Sequence, residues 1–439
     1  MANQQQAKRT SRANTHVMSM SKTKRPLSER IDAANAEAVK RLNEAKPVLV
    51  DIAPARDVIP GMMDRMVLHS GPPVGWKRMS GAQRGAVIGM LLFERWAETP
   101  AEAVEMLEAG EIVLDANHGH SAVGPMAGTI SPSLPVYVVE DQAHGTRAYC
   151  RNVEGAQQFG SFNVEALTNL FRWRDFVAPA FRKGVEHAGG VDLIPLFARA
   201  IEMGDELHNR PNAATALFGV EMGRHMLRAG VSAESVAAAL DLCYYNPYTA
   251  LGLSMAAAKA AADSLSDLEY STVVRVMARN GTEFGIKVAG LGDQWFVAPA
   301  PKIDGLYFPG YTDDDANRDM GDSAITETVG WGGGVIANAP GILLLTGGTP
   351  AQAAGWTRDN VSVSLATSTN YYMPALGMQG APVGIDIRRV VETGVCPVID
   401  SAIAHKEPGI GMIGSGITRA PLDCFTQAHQ AFEQRYGEL

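Results

Sequence analysis

Between residues 163 and 266 the chain is patterned for helices almost without a break and nearly lacks β-branched runs, while strand-like runs stand on both sides of it. A period of 3.6 that replaces a period of 2 and then gives way to it again does not suit one parallel sheet wound through the whole chain. An α+β, multidomain protein is expected instead: a mixed α/β domain over residues 27–162, a helical domain over 163–268, and an α+β domain with glycine-rich loops and a closing helix over 269–439. The 439 residues agree with this division, because one core usually serves roughly 100–200 residues.

Ahead of the helical stretch, a helix is expected from Leu27 to Leu42, a buried strand over residues 47–53, two helices over 81–96 and 100–109, and strands near 111–116, 135–139 and 147–152. Residues 1–26 are polar and basic without the apolar core of a secretory signal, so a disordered tail is expected there. No apolar run approaches the ~20 residues that span a bilayer. The net charge of −9 argues against nucleic acid as a general partner. Cys150, Cys243, Cys396 and Cys424 are far apart with no CxxC pair, which points to a reducing cytoplasm rather than a disulfide or zinc scaffold.

The chemistry-bearing stretches concentrate late in the chain. In residues 321–334, GDSAITETVGWGGG, the polar Asp322, Ser323, Thr326 and Glu327 precede Gly332, Gly333 and Gly334. Such a run suits either a ligand-facing turn, where glycine lets N–H groups converge on an anion, or a capped and glycine-softened core helix. MGDELHNR, residues 203–210, sets Asp205, His208 and Asn209 at i, i+3 and i+4, a spacing that shares one face if the stretch is helical. Residues 271–298 resemble an antiparallel meander, with Arg279, Asn280 and Glu283 around its first turn. Arg388 and Arg389 sit in an expected helix over 384–394, and His405, Lys406 and Glu407 in an expected loop over 404–416. The pair His118 and His120 and the acids between Asp313 and Asp322 invite a metal, but neither spacing matches a known metal-binding pattern, and no metal or cofactor is assigned.

This inventory suits a small anionic ligand. His405, Glu407, Glu327 and His208 are the candidate proton carriers. Arg279, Asn280, Arg388, Lys406, Asp205, Asn209, Asp322, Ser323, Thr326 and Gly332 to Gly334 are the candidate substrate contacts. They are expected to meet in a cleft between residues 321–334 and the loop 404–416. No Walker A, dinucleotide GxGxxG or GxSxG elbow is present.

Taken together, HSAVGPMAG, GDELHNR, ARNGTEFGI, GLYFPGYTDDDANRDMGDSAITET, GIDIRRVVETG and AHKEPGIG resemble the uncharacterised-domain family of the YlbE/AllG type, over about residues 47–416. The resemblance implies one of the dissimilar subunits of an oxamate carbamoyltransferase of allantoin degradation. It implies the reaction of oxalurate with phosphate to give oxamate and carbamoyl phosphate, with partner subunits and self-association. It carries no established catalytic residues, so the roles above come from the residues themselves. A stand-alone amide or imide hydrolase or C–N lyase using His118, His120 or His208, and a non-catalytic scaffold subunit, stay open.

Overall fold

The computed structural model describes residues 26–153 and 159–438, so the basic tail, apart from Pro26, lies outside them. Leu27–Glu44 is a helix that turns Ile31, Asn35, Ala38 and Leu42 inward at helical spacing. It leads into β1 (Pro47–Pro54), whose Val48, Leu49, Ile52 and Ala53 are buried. β2 (Met66–His69) and β3 (Val113–Ala116) pair in parallel, with the helices Gly81–Phe93 and Pro100–Ala109 between them in the chain. β4 (Ala122–Val123), β5 (Pro135–Asp141), β6 (Thr146–Arg151) and the short β7 (Val191–Asp192) join β1 in a sheet of order β4-β6-β5-β1-β7. Its pairings are antiparallel except for β4 with β6.

Residues 164–263 are mostly helical. Their apolar faces share one core with the five-stranded sheet, in which Trp173 and Phe218 meet Tyr137 of β5 edge-on. The alanine-rich helix Leu251–Asp263 is buried almost throughout because its small side chains admit close approach. A Cβ added at Gly252 would fall 2.6 Å from the carbonyl oxygen of Arg151 and 2.9 Å from the Tyr137 ring.

The expected meander forms from β8 (Val274–Asn280), β9 (Glu283–Val288) and β10 (Phe296–Pro299). After β11 (Asp304–Tyr307), β12 (Met320–Gly321) adds to the β8 edge of that sheet. β13 (Ser364–Met373) and β14 (Gln379–Ile385) make a hairpin, and β15 (Val398–Ala404) and β16 (Met412–Arg419) complete an antiparallel sheet of order β11-β16-β15. The closing helix Leu422–Tyr436 sets Phe425 and Phe432 against Phe284, Ile286 and Phe296 in a second core.

The chain is therefore α+β. Two expected elements differ in detail. Residues 404–416, expected to be a loop, are a loop only from 405 to 411, since β16 begins at Met412 and pairs with β15. The segment 384–394 starts as the end of β14 and becomes a helix only at Ile387, where the Asp386 carboxylate accepts the N–H of Arg388 as a cap.

Candidate active site

Four chain segments meet around the buried imidazole of His208. The first is the loop 203–211. Asp205, His208 and Asn209 lie in this loop rather than on a helix face, because the chain reverses at Gly204 (φ 87°) and two carboxylates take over the local N–H groups. Asp205 accepts from the amides of Leu207 and Ala214, and Glu206 from those of His208, Asn209 and Arg210. Side-chain acceptors here replace helical carbonyls.

The second segment is the 3-10 turn Ser323–Val329 with the glycine turn after it. Glu327 Oε1 lies 2.7 Å from His208 Nδ1 and accepts the N–H of Gly333 at 3.2 Å, while Thr326 donates its hydroxyl to Oε2. Gly332 has φ 58°, and a Cβ there would fall 2.1 Å from Glu327 Oε1 and 3.0 Å from Asp400 Oδ1. The glycine run thus serves as a seat for a buried carboxylate. Gly332→Ala is expected to cost about 1–2 kcal/mol for the left-handed backbone alone and to displace Glu327. Denaturant unfolding, and the imidazole signals of His208 by NMR, would check both effects.

The third segment is β15. Asp400 is fully buried, with Oδ1 3.3 Å from His208 Nδ1. Nδ1 carries at most one proton, and that proton is aligned on Glu327. Both Asp400 oxygens are consequently left without a hydrogen-bond partner among the described residues. The next residue, Ser401, donates to Asp319 Oδ1 at 2.7 Å. The fourth segment is β16, whose Ser415 hydroxyl accepts from Asn209 Nδ2 at 2.6 Å and donates to the carbonyl oxygen of Ser401.

Burial by itself would lower the His208 pKa, but the charges of Glu327 and Asp400 and the hydrogen bond to Glu327 outweigh it and push it up to about 10. Burial raises Glu327, opposed by His208, and raises Glu206 well above the usual range with the Asp400 charge adding to it. Asp205 is raised to about 6 by burial, against its backbone hydrogen bonds. Nδ1 of His208, Glu327 and Asp400 can together offer three ligand atoms to a cation, all within 4.8 Å of one another.

Against this cluster stands a small pocket, lined by His208, Asn209, Ser323 and Ser401 on its polar side and by Pro125, Met126, Phe159, Tyr248, Leu251, Met320 and Ala402 elsewhere. A neighbouring hollow shares Pro125 and Phe159 with it and has Thr129, Arg151 and Ser161 in its walls.

Arg279 is wholly buried beside this pocket and does not line it. Its guanidinium forks onto Asp319 at 2.8 and 3.0 Å and also donates to the Gly321 carbonyl oxygen, Ser323 and Ser401. It holds the two serines that face the pocket. Asp322 is spent in the same way, on the amides of Gly71 and Gly124 and the side chains of Asn117 and His118. Asn280 shapes the β8–β9 turn through the amides of Thr282 and Glu283.

Other expected contacts are elsewhere. Arg388 pairs with Asp386 at 2.8 Å and lies near Asp32, on the helix that begins at Ile387. His405 accepts from the Glu407 amide and meets the Tyr311 ring edge-on, while Lys406 reaches the carbonyl oxygen of Asp314. Residues 321–334 lie against Val398, Asp400 and Ser401 of β15, which precede the stretch 404–416, and from that stretch Ser415 joins the site through Asn209 and Ser401. His118, His120 and His208 have separate partners, since His120 binds the Pro60 carbonyl oxygen and Asp115. Of the acids considered for calcium, Asp313 pairs with Lys302, Asp315 caps Thr312 and Asp319 holds Arg279.

Glu206, Asp400, Ser401 and Ser415 were not among the expected site residues. Asp400 had a signal: it is the lone acid in the apolar run VIDSAIA, where a charge needs a reason to be buried.

Comparison with known proteins agrees with this architecture. The family described as oxamate carbamoyltransferase subunit AllG matches residues 112–323. The oxamate carbamoyltransferase subunit AllG of Escherichia coli K12 is 40% identical over 92% of this chain and 98% of its own length. The chain belongs to the AllG family. The uncharacterized protein YahG of the same organism is 41% identical over 94% of this chain and 88% of its own length. A crystal structure of a conserved protein of unknown function from Enterococcus faecalis V583 superposes with a TM-score of 0.91 at 39% identity, over 94% of this chain and 99% of that one. His208, Asn209, Arg279 and Ser323 fall inside the matched AllG region, and Glu327, Asp400 and Ser401 follow it.

Proposed function

We propose that the chain is a subunit of a phosphate-dependent carbamoyltransferase acting on a small ureido acid, with oxalurate and phosphate giving oxamate and carbamoyl phosphate, and that the pocket beside His208 is where it acts. The observation that carries this reading is a small pocket placed directly over a carboxylate-held histidine in a chain of the AllG family.

In the reaction a phosphate oxygen attacks the ureido carbon, the bond from that carbon to the oxamate nitrogen breaks, and the proton brought by hydrogen phosphate ends on that nitrogen. The step needs donors for the tetrahedral oxyanion and a group that passes the proton on. Asn209, Ser323 and Ser401 supply polar groups at the pocket wall. His208, held at Nδ1 by Glu327, turns its Nε2 edge to the work of proton transfer.

As a subunit the chain requires dissimilar partners, so the test uses the reconstituted assembly. Supplied with oxalurate and phosphate, it should release carbamoyl phosphate, trapped by a carbamate kinase coupled to nucleotide, and the chain alone should release little. An assembly that leaves oxalurate untouched but transfers from another ureide would correct the substrate; one that transfers from none would overturn the reading.

A further inference from the structure

We infer that His208, Glu327 and Asp400 form a binding site for one divalent transition-metal ion, of the Zn²⁺ or Mn²⁺ kind, behind the pocket that His208 lines. Three observations converge on it. The donor atoms are close: Nδ1 of His208 lies 2.7 Å from Glu327 Oε1 and 3.3 Å from Asp400 Oδ1. Ligands of an ion with bonds of about 2.1 Å stand about 3–3.4 Å apart, so sub-ångström side-chain shifts suffice. Asp400, wholly buried, has both oxygens unpartnered and one directed at that same nitrogen. Burying a carboxylate without donors is costly, and a cation removes the cost.

The third observation is the sign of the local charge. Glu327 and Asp400 set two buried carboxylates against the one imidazole of His208, while Arg279, the buried guanidinium close by, is already matched by Asp319. Two carboxylates against one imidazolium leave an excess of negative charge, and a divalent ion in place of the Nδ1 proton cancels it. One imidazole with two carboxylates favours zinc, manganese or iron over the all-oxygen shells of calcium and magnesium. The metal's role in turnover rests on the carbamoyltransferase reading; its binding does not.

The full chain, stripped with chelator and dialysed, would be titrated separately with Zn²⁺ and Mn²⁺, following bound metal by elemental analysis, Mn²⁺ by electron paramagnetic resonance, and melting temperature. About one equivalent is expected, with a rise in melting temperature. Asp400→Asn and Glu327→Gln, near-isosteric and checked for fold by circular dichroism, should each weaken binding at least tenfold. His225→Ala serves as control, since His187, His225 and Glu221 form a separate, partly exposed group and its loss should leave the tight equivalent intact. Uptake well below one equivalent for both ions, or wild-type affinity in folded Asp400→Asn, would overturn the site. Stoichiometric metal in an assembly without transferase activity would leave the site standing and count against the function alone.

Discussion

His208→Gln is expected to lower the turnover of the assembled enzyme by at least about a hundredfold, within the 10²–10⁴ range of a positioned proton carrier, while the protein stays folded. The imidazole is held at Nδ1 by Glu327 and is part of the pocket lining, so glutamine keeps bulk and polarity there but loses the titrating ring. The loss should fall on kcat more than on KM if the ring acts in the transition state. His405→Ala and Arg388→Lys give the contrast. Both residues are engaged away from the pocket, and both variants should keep kcat and KM within about twofold. Steady-state kinetics of the three assemblies decide between the pocket and the 405–411 loop as the place of proton transfer.

Arg279→Met should be the most destabilising single change near the site, at about 3–5 kcal/mol for breaking a buried ion pair. The substitution leaves Asp319 buried with one remaining hydroxyl donor, Ser401, and removes the donors that hold the Gly321 carbonyl oxygen and Ser323. Arg279→Lys keeps the charge but cannot reproduce the fork onto Asp319 together with contacts to three other groups. It should fall between wild type and Arg279→Met in urea midpoint, and should raise KM because Ser323 and Ser401 lose their positioning. If Arg279→Lys instead unfolds like wild type but binds substrate poorly, the guanidinium contacts ligand directly and its structural role is misassigned.

The behaviour of these residues shows which features the sequence made legible. Alternation of periods marked the meander 274–299, the buried strand after residue 46 and the alanine-rich helix, because each is a local consequence of side-chain spacing. His208, Asn209, Ser323 and Glu327 could be singled out because polar residues beside glycine are conspicuous. What spacing could not show is which partner each would find. Asp205 and Glu206 turn GDELHNR into a loop by accepting its amides, although i, i+3 and i+4 reads as a helix face. Arg279 and Asp322 look like ligand contacts until the fold brings Asp319 to one and Gly71, Asn117 and Gly124 to the other, from up to 251 residues away. Asp400 is conspicuous in sequence as the lone acid of an apolar strand, but only the fold shows that its oxygens find no donor and that it lies against His208.

The location of the site is the central claim, and hydrogen exchange of the assembled enzyme with and without oxamate plus carbamoyl phosphate tests it most directly. Ligands should slow exchange in residues 204–214, 320–334 and 398–404 and in the first turn of Leu251–Asp263, the segments that meet at the pocket. Unchanged exchange in all of these, with protection confined to the 405–411 loop or to the helix Ile387–Thr393, would contradict it.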